Sequence, residues 1–311
     1  MPGNVMDLEG FPTLLDARYT EIKAEEYQGI TDIIPLIYQQ RSTDRLDQFH
    51  TSVGGLTDWE EFTGQINPQQ IYEQYEVRSR PREFATMVIV TRRMVHDDFS
   101  GVFQDGLRFR PMVRAGMLTK QKHATELFEM LNINDTRWFV RSEGVPIVSN
   151  SHTTRTPNVS TTEGFDNLTT DALTPVSLIA AGIAGRKMRS SEGDRMDLHY
   201  DCIILPVDLV PTYNEIANTP LGFDIPGQNQ NQASKERMGI RKVIVLPLWT
   251  STVQWVLANE ALMKENCLWY TSEEEDYGSL TEFDTLQIKS RGYMRHGPSV
   301  DNWRWAYGGG F

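Results

Sequence analysis

Six histidines are the side chains of this chain that could bind a metal ion or transfer a proton, and none has the spacing that either role requires. No HxxxH or HExxH pair is present, and His96-Asp97-Asp98 is the best local group. Adjacent residues of a strand or loop point in different directions, so these three side chains make a poor metal cage. The sequence predicts a polar turn at His96 and no metal or cofactor site.

A catalytic nucleophile is equally hard to place. The chain has no GxSxG elbow, and its nearest approach to a triad is Ser149, Ser151 and His152 in a turn-rich segment. A triad needs three side chains held at hydrogen-bonding distance, which neighbours in one loop do not supply. We therefore predict no catalytic residue. A hydrolase using His152 or His96 is the weakest of the alternatives.

Two further clusters have simpler explanations. Gly182 and Gly185 precede basic residues, but they lack the GxxxxGK[ST] frame of a phosphate loop and fall inside a predicted helix. We interpret them as small residues that allow close helix packing. The acidic run 273–276 lacks the apolar neighbours that would raise its pKa values, which indicates a solvated loop.

The Trp303-Arg304-Trp305 sequence could stack nucleic-acid bases. The formal net charge of −12 argues against broad binding to phosphates, which needs a basic surface. We favour a core strand face or a contact between subunits, so Trp303 and Trp305 are candidate contact residues.

The two cysteines, Cys202 and Cys267, are too few for a disulfide framework and stand in apolar surroundings. We predict two buried structural thiols, consistent with folding in a reducing compartment. The N-terminus has no signal-peptide pattern, and the most apolar run, residues 178–185, is far too short to cross a bilayer. We expect no association with a membrane.

Charge is unevenly placed along the chain. Residues 1–61 carry twelve acidic and four basic side chains, whereas residues 78–122 carry four acidic and ten basic ones. Between Lys23 and Lys120 there are ten arginines and no lysine. Five of these arginines flank one predicted hairpin: Arg78, Arg80, Arg82, Arg92 and Arg93. Because a guanidinium pairs bidentately with carboxylates, we predict that they make ion pairs between subunits. The two oppositely charged segments could also pair within one subunit, and the remaining alternative is solvated surface charge that pairs with nothing.

The N-terminal part of the chain predicts elements that should lie on another protein surface. Residues 1–45 predict an arm with one or two short helices, and residues 46–70 predict a loop. Residues 71–95 alternate with a period of two, which predicts a β-hairpin that turns at Arg80-Pro81-Arg82. A lone hairpin of that length is marginal in water, so we expect it to lie on another protein surface.

A long helix is predicted over residues 103–131, with Pro111 suited to its first turn. Its apolar residues fall at helical spacing and form one stripe: Met117, Ala124, Leu127, Phe128 and Leu131. Lys120 and Gln121 lie largely off this stripe.

The rest of the chain predicts a mixture of helices and strands, and the fold class is α+β. Residues 132–172 are rich in turn formers and should be irregular. Helices and strands should follow in alternation: a helix from Pro175 to about Met188 capped by Thr174, a strand at 201–206, a helix at 210–219, a polar loop at 222–237, and strands at 242–248, 253–257 and from Leu268. The tail, residues 283–307, predicts a strand pair that turns at Gly297-Pro298.

Four stretches of the sequence carry a resemblance to a known family: residues 149–161, 164–175, 261–264 and 283–308. Together with the order of elements, they make the chain resemble the major capsid proteins of tailed phages, in particular the Mu-like head subunit group. The resemblance implies a Hong Kong 97-like capsid fold. Its parts would be an N-terminal arm (1–45), an extended β-hairpin loop (46–98), a peripheral domain with a long spine helix (99–165 and 280–311) and an axial α/β domain (166–279).

What the resemblance implies is a shell subunit that forms hexamers and pentamers around double-stranded DNA, with which it would make weak nonspecific contacts. Its other partners would be a portal and a scaffold or cement protein, and its location the virion, after assembly in the host cytoplasm. Some relatives lock the shell with lysine–asparagine bonds from the extended loop. Residues 24–119 contain no lysine, which excludes that version of the lock. An encapsulin-type shell around a cargo enzyme is the main alternative.

Overall fold

The structure, a computed structural model, describes residues 31–59, 61–62, 64, 66, 68–97, 110–134, 136–219 and 231–311. The helices predicted before residue 31, the first residues of the predicted long helix and most of the polar loop at 222–237 lie outside these ranges.

Seven helices are described: α1 Ile34–Ile37, α2 Arg92–His96, α3 Arg110–Glu129, α4 Pro175–Lys187, α5 Val210–Asn218, α6 Lys235–Met238 and α7 Glu260–Asn266. Twelve strands are described: β1 Gln39–Ser42, β2 Gln48–Val53, β3 Glu73–Ser79, β4 Arg82–Thr91, β5 Phe139–Arg141, β6 Leu168–Thr169, β7 Cys202–Pro206, β8 Lys242–Leu246, β9 Trp255–Ala258, β10 Cys267–Thr281, β11 Gln287–Val300 and β12 Ala306–Gly309. The α+β fold class is confirmed.

The strands form three sheets. A four-stranded sheet has the order β1-β10-β11-β4, and the long antiparallel pair of β10 and β11 is its centre. A three-stranded antiparallel sheet has the order β2-β3-β5. A five-stranded mixed sheet has the order β6-β12-β9-β7-β8, and its central strands β7 and β9 are buried along their whole length.

The predicted hairpin over residues 71–95 is wrong in its pairing. Strands lie at both predicted positions, but β3 pairs with β2 and β5, whereas β4 pairs with β11. The two strands diverge at Arg80-Pro81, where the backbone N–H of Arg80 donates to the carbonyl of Trp138 (3.0 Å). An alternating pattern predicts that a strand forms, but it carries no information about the partner strand. The region predicted as a loop, residues 46–70, contains one of these partners, β2.

The predicted turn at Gly297-Pro298 is also wrong. Strand β11 runs through both residues, and Pro298 stands opposite Trp269 of β10. Gly297 is needed for close packing, because a Cβ there would lie 3.2 Å from the Cα of Pro81 and 3.3 Å from the Trp138 ring. The turn of this strand pair lies at residues 282–286, between β10 and β11.

The five residues of the predicted apolar stripe are all buried, four of them on α3 and Leu131 just after its end, and Pro111 lies in the first turn of the helix. Lys120 and Gln121, which were predicted off the stripe, are buried as well. The Lys120 ammonium lies 2.9 Å from Oε1 of Glu275, and Oε1 of Gln121 accepts from the backbone N–H of Ile33 (3.0 Å). The acidic run 273–276 lies on β10 and not in a loop. Glu273, Glu274 and Asp276 are exposed to solvent as predicted, whereas the Glu275 side chain is almost fully buried.

The predictions for the α/β portion hold well. Thr174 caps α4 through a capping box with Ser177. Gly185 allows α4 to approach the next strand, since a Cβ there would lie 2.5 Å from the ring of Tyr200. Both cysteines are buried, free thiols. Within the described ranges, no helix has the length and apolar character that crossing a membrane requires.

Candidate assembly surface

The loop between β2 and β3, residues 54–72, presents apolar side chains to solvent. Trp59 is 94% exposed and Ile66 is 81% exposed. The exposed apolar side chains of this loop are Leu56, Trp59, Phe62, Ile66 and Ile71. Single exposed apolar residues are ordinary, but a group of them in one loop indicates a surface that another protein covers. We call residues 54–72 the apolar loop.

Sequence reasoning missed the apolar loop. Its apolar residues follow neither a helical nor a strand period, and they stand among turn formers and acids such as Asp58 and Glu61. A usable signal was present, because a turn-rich segment that contains Trp59 and Phe62 lacks the polarity expected of a solvated loop.

Three of the five predicted arginines come together at the end of β3 and the start of β4. The Nε of Arg80 lies 2.7 Å from Oδ1 of Asp47, and Arg78 pairs with the other oxygen of the same carboxylate. Hydrogen bonds from Arg80 and then Arg78 lower the pKa of Asp47 to about 2. Arg82 donates from Nε to the carbonyl of Arg137 (2.7 Å).

Arg137, which the sequence did not single out, completes this group. It pairs with Glu126, and its guanidinium lies 4.8 Å from the centre of the Trp138 ring. A cavity of about 210 Å³ is lined by these four guanidinium-bearing residues and the aromatic side chains behind them: Arg78, Arg80, Arg82, Arg137, Trp138 and Phe139. We call this cavity the arginine cleft. Among the described residues, Asp47 pairs with Arg78 and Arg80, and Glu126 pairs with Arg137.

Arg92 and Arg93 are not part of this cleft. They lie on α2, beyond the far end of β4, which at about 3.3 Å per residue is roughly 30 Å from Arg82. Arg93 makes an exposed pair with Asp97 one helical turn away (3.4 Å), a type of contact that adds little to stability.

Trp303 and Trp305 lie inside the subunit, where their side chains are 3% and 0% exposed. Trp303 stacks on His152 with 3.9 Å between ring centres, and Trp305 packs edge-on against Phe128. The sequence favoured a core strand face or a contact between subunits for these two residues. These residues instead lie in the turn between β11 and β12, within the core, so neither side chain is on a surface that a neighbour could contact.

His152, the candidate for hydrolytic chemistry, has both ring nitrogens occupied by structural partners. Its Nδ1 lies 3.1 Å from Oε1 of Glu143, and its Nε2 lies 3.1 Å from the carbonyl of Ile147. Burial lowers the pKa of His152, against the opposing effect of Glu143. Ser149 and Ser151 bond to each other, through the Ser151 N–H and the Ser149 hydroxyl (3.2 Å). The arrangement holds a loop in place and does not resemble a triad.

The other histidine candidate, His96, is exposed on α2 with its Nδ1 3.1 Å from Asp97. Across the part of the chain that the structure describes, no three His, Cys, Asp or Glu side chains stand close enough together to hold a metal ion.

A pair of histidines, half-buried His123 and buried His296, lies next to Trp138 of the arginine cleft. Nδ1 of His123 on α3 is 3.0 Å from Nε2 of His296 on β11, and the rings of Phe84, Trp138 and Trp269 surround the pair. Burial lowers the pKa of His123 to about 4 and that of His296 to about 3, so both rings are neutral near pH 7. The pair connects α3 to β11 of the four-stranded sheet.

Comparisons with known proteins agree with this architecture. No family model matches the sequence, and no curated protein matches it. Solved structures do match. The mature capsid of bacteriophage PhiM1 has a TM-score of 0.57 at 9% identity, with 90% of this chain and 87% of that chain covered. The capsid of an empty GTA particle has a TM-score of 0.54 at 10% identity, with 90% of each chain covered. The capsid of cyanophage P-SCSP1u has a TM-score of 0.54 at 12% identity, with 88% of this chain and 86% of that chain covered.

This chain therefore has the fold of phage capsid proteins, the Hong Kong 97-like fold, over most of its length. The likeness does not single out the Mu-like group, which stays a prediction.

Proposed function

We propose that this chain is a non-enzymatic shell subunit that self-assembles into the icosahedral head of a tailed double-stranded DNA phage. The observation that carries the proposal is the apolar loop on a subunit with a capsid fold. A loop with Trp59 and Ile66 in solvent is unfavourable for an isolated protein, and a neighbouring copy would cover it. The capsid matches, which cover about nine tenths of both chains, support the proposal.

Within this proposal, the apolar loop and the strands beside it are the extended loop of the subunit, and they lie on the next subunit of a hexamer or pentamer. The extended loop is then built from β2 and β3, in place of the hairpin over 71–95. The remaining domain division, with an N-terminal arm at 1–45, a peripheral domain around α3 and an axial domain at 166–279, is part of the proposal.

The arginine cleft is the second proposed contact. Its arginines suit an acidic segment of a neighbouring copy, and residues 1–61 carry twelve acidic side chains, of which Asp47 pairs with Arg78 and Arg80 in its own subunit. Arg92 and Arg93 form a separate basic contact at the far end of β4. Trp303 and Trp305 are left out of the proposed contacts because they are buried.

The other proposed partners are a portal, a scaffold or cement protein and, through weak nonspecific contacts, the packaged DNA. The acidic net charge of the chain favours weak contacts with DNA, since DNA that must move in and out should not bind tightly. Assembly would take place in the host cytoplasm, and the final location would be the virion. DNA inside purified particles supports this function, whereas a protein cargo would indicate an encapsulin-type shell.

The experiment uses the purified wild-type protein and the variant Arg80→Glu/Arg82→Glu, examined by mass photometry and negative-stain electron microscopy. We expect closed shells from the wild type. We expect folded subunits without shells from the variant, because two carboxylates would repel the acidic segment that the cleft receives.

The matched control is Arg80→Lys/Arg82→Lys, which keeps the charge and should still form shells. Wild-type protein that stays monomeric or dimeric under all conditions contradicts the proposed function. Normal shells from the charge-reversed variant contradict the role of the cleft.

A further inference from the structure

The base of the apolar loop is tied to a turn in a distant part of the chain. The backbone N–H of Gly55 donates to Oε1 of Glu192, which lies in the turn closed by the bridge between Arg189 and Arg195. Gly54 donates from its N–H to the carbonyl of Tyr72 (2.9 Å), which joins the two ends of the loop. A Cβ at Gly54 would lie 2.5 Å from Glu192, so a larger residue would break this approach.

A buried amide holds the returning strand. Gln74 of β3 is only 5% exposed, although it is polar and lies next to the apolar loop. Its Nε2 donates to the hydroxyl of Thr156 (2.9 Å), and its Oε1 accepts from the backbone N–H of Arg155 (3.2 Å). The hydroxyl of Thr154 lies 3.1 Å from the same Oε1 and 2.8 Å from the carbonyl of Ser191, which connects this contact to the turn that carries Glu192.

Tyr75, the next residue of β3, also contacts the segment 153–156. The hydroxyl of Tyr75 lies 2.7 Å from that of Thr153, and the guanidinium of Arg155 lies 5.0 Å from the centre of the Tyr75 ring. Thr153 is itself fixed, because its N–H donates to Glu143 (2.9 Å) beside the buried ring of His152. The contacts on β3 are thus anchored in the core of the subunit.

We propose that residues 153–156 and Glu192 form a clamp that sets the angle at which the apolar loop leaves the subunit, and that this angle determines the geometry of the assembled shell. The inference rests on the proposed function. Gln74 and Glu192 act as positioning residues, since they orient the side chains that would meet a neighbour.

The physical reason is preorganisation. A loop that is free at its base would lose conformational entropy at every contact it makes in a shell, and it could meet neighbours at several angles. Buried polar contacts with directional partners remove that freedom before assembly, because each alternative angle would leave Gln74 without hydrogen bonds in a buried position.

The test compares the full-length wild type with Gln74→Ala, Glu192→Met and the control Gln40→Ala, which changes an exposed strand glutamine on a different sheet. Hydrogen exchange is measured on unassembled subunits at low concentration, and electron microscopy is applied to the assembled products. For the two clamp variants we expect about tenfold faster exchange in peptides covering residues 48–59, with little change in the melting temperature. We also expect particles of mixed diameter or open sheets, whereas Gln40→Ala should match the wild type.

Unchanged exchange at residues 48–59, or uniform shells of wild-type diameter from both clamp variants, would overturn the clamp. Glu192→Met keeps the approximate size of the side chain, removes the oxygen that accepts from the Gly55 N–H, and guards against loss of folding. A wild type that forms no shells would instead refute the proposed function, and the exchange result would still decide whether the clamp holds the loop.

Discussion

Lys120 shows what a helical pattern can and cannot predict about one residue. Its position on α3 falls off the apolar stripe, which predicts a solvated side chain. The structure buries it because β10 brings Glu275 to 2.9 Å, and the side chains are only 10% and 2% exposed. The spacing of apolar residues predicts which face of α3 is buried. It does not show that a strand more than 150 residues later supplies a carboxylate for Lys120.

The buried pair leads to a prediction for Lys120→Met. We expect a loss of about 3 kcal/mol in the free energy of unfolding, because the substitution leaves the Glu275 charge buried without its lysine. Urea unfolding followed by circular dichroism measures the change. The control Lys122→Met alters an exposed lysine on the same helix and should stay within about 0.5 kcal/mol of the wild type. Equal stability of the two variants would contradict the stabilising role of the pair between Lys120 and Glu275.

The His123–His296 pair predicts a pH dependence. In the folded subunit the pKa values are lowered to about 4 and about 3 by burial, whereas the histidines of the unfolded chain have a pKa near 6.5. Between these values the unfolded chain binds more protons, so stability is complete near pH 7 and falls as the pH decreases below about 6.5. Each proton taken up only on unfolding contributes up to about 1.4 kcal/mol per pH unit.

The variant His296→Phe should weaken this dependence, because phenylalanine fits the surrounding aromatic rings and does not titrate. Unfolding free energies measured between pH 7 and pH 4.5 should decline less steeply in the variant than in the wild type. His96→Phe, which changes a side chain 86% exposed, should keep the wild-type slope. The same slope in all three proteins would show that the buried pair does not control the response.

At the scale of elements, the sequence predicted where strands form but not how they pair. Residues 73–79 and 82–91 are strands as expected, yet they enter different sheets. Strand β4 pairs with β11, about 200 residues later, and no local pattern contains that choice. Helices such as α4 were predicted nearly to the residue because their signals, a Thr174 cap followed by a proline, are local.

Helix α4 also gives an element-scale prediction through its two glycines. Gly185→Ala should destabilise the protein by about 1–3 kcal/mol, because the new methyl group would lie 2.5 Å from the buried ring of Tyr200. Gly182→Ala is the matched control. Its methyl group would meet only the flexible end of Met238 at 3.0 Å, and alanine favours the helix by about 0.5–1 kcal/mol, so its effect should be near zero or stabilising. Thermal unfolding of both variants measures the change in stability, and equal losses of stability would contradict the packing role of Gly185.

At the scale of the whole molecule, the separation of charge was visible in the sequence, whereas the contact surface was only partly predictable. The arginines that were singled out do cluster in part, in a cleft with Arg137. The apolar loop was missed, since exposure of Trp59 depends on where its strands place it and not on its neighbours in sequence. Trp303 and Trp305, which were predicted as contact residues, are core residues, because burial also depends on the fold and not on neighbours in sequence.

The apolar loop predicts a selective effect of Trp59→Glu on assembly. The side chain is 94% exposed, so subunit stability should change by less than about 0.5 kcal/mol. Covering an indole removes about 200 Å² from water, worth about 5 kcal/mol, so the critical concentration for assembly should rise at least about 100-fold. Trp59→Phe should retain assembly. Light scattering over a concentration series tests this, and an unchanged critical concentration for Trp59→Glu would exclude the loop from the contact.

The most direct test of the account is cryo-electron microscopy of the purified wild-type protein. We predict closed icosahedral shells in which residues 54–72 of each subunit lie on a neighbouring subunit, with Trp59 covered. Shells in which this loop rests on its own subunit, or a protein that forms no shells at any concentration, would contradict the account.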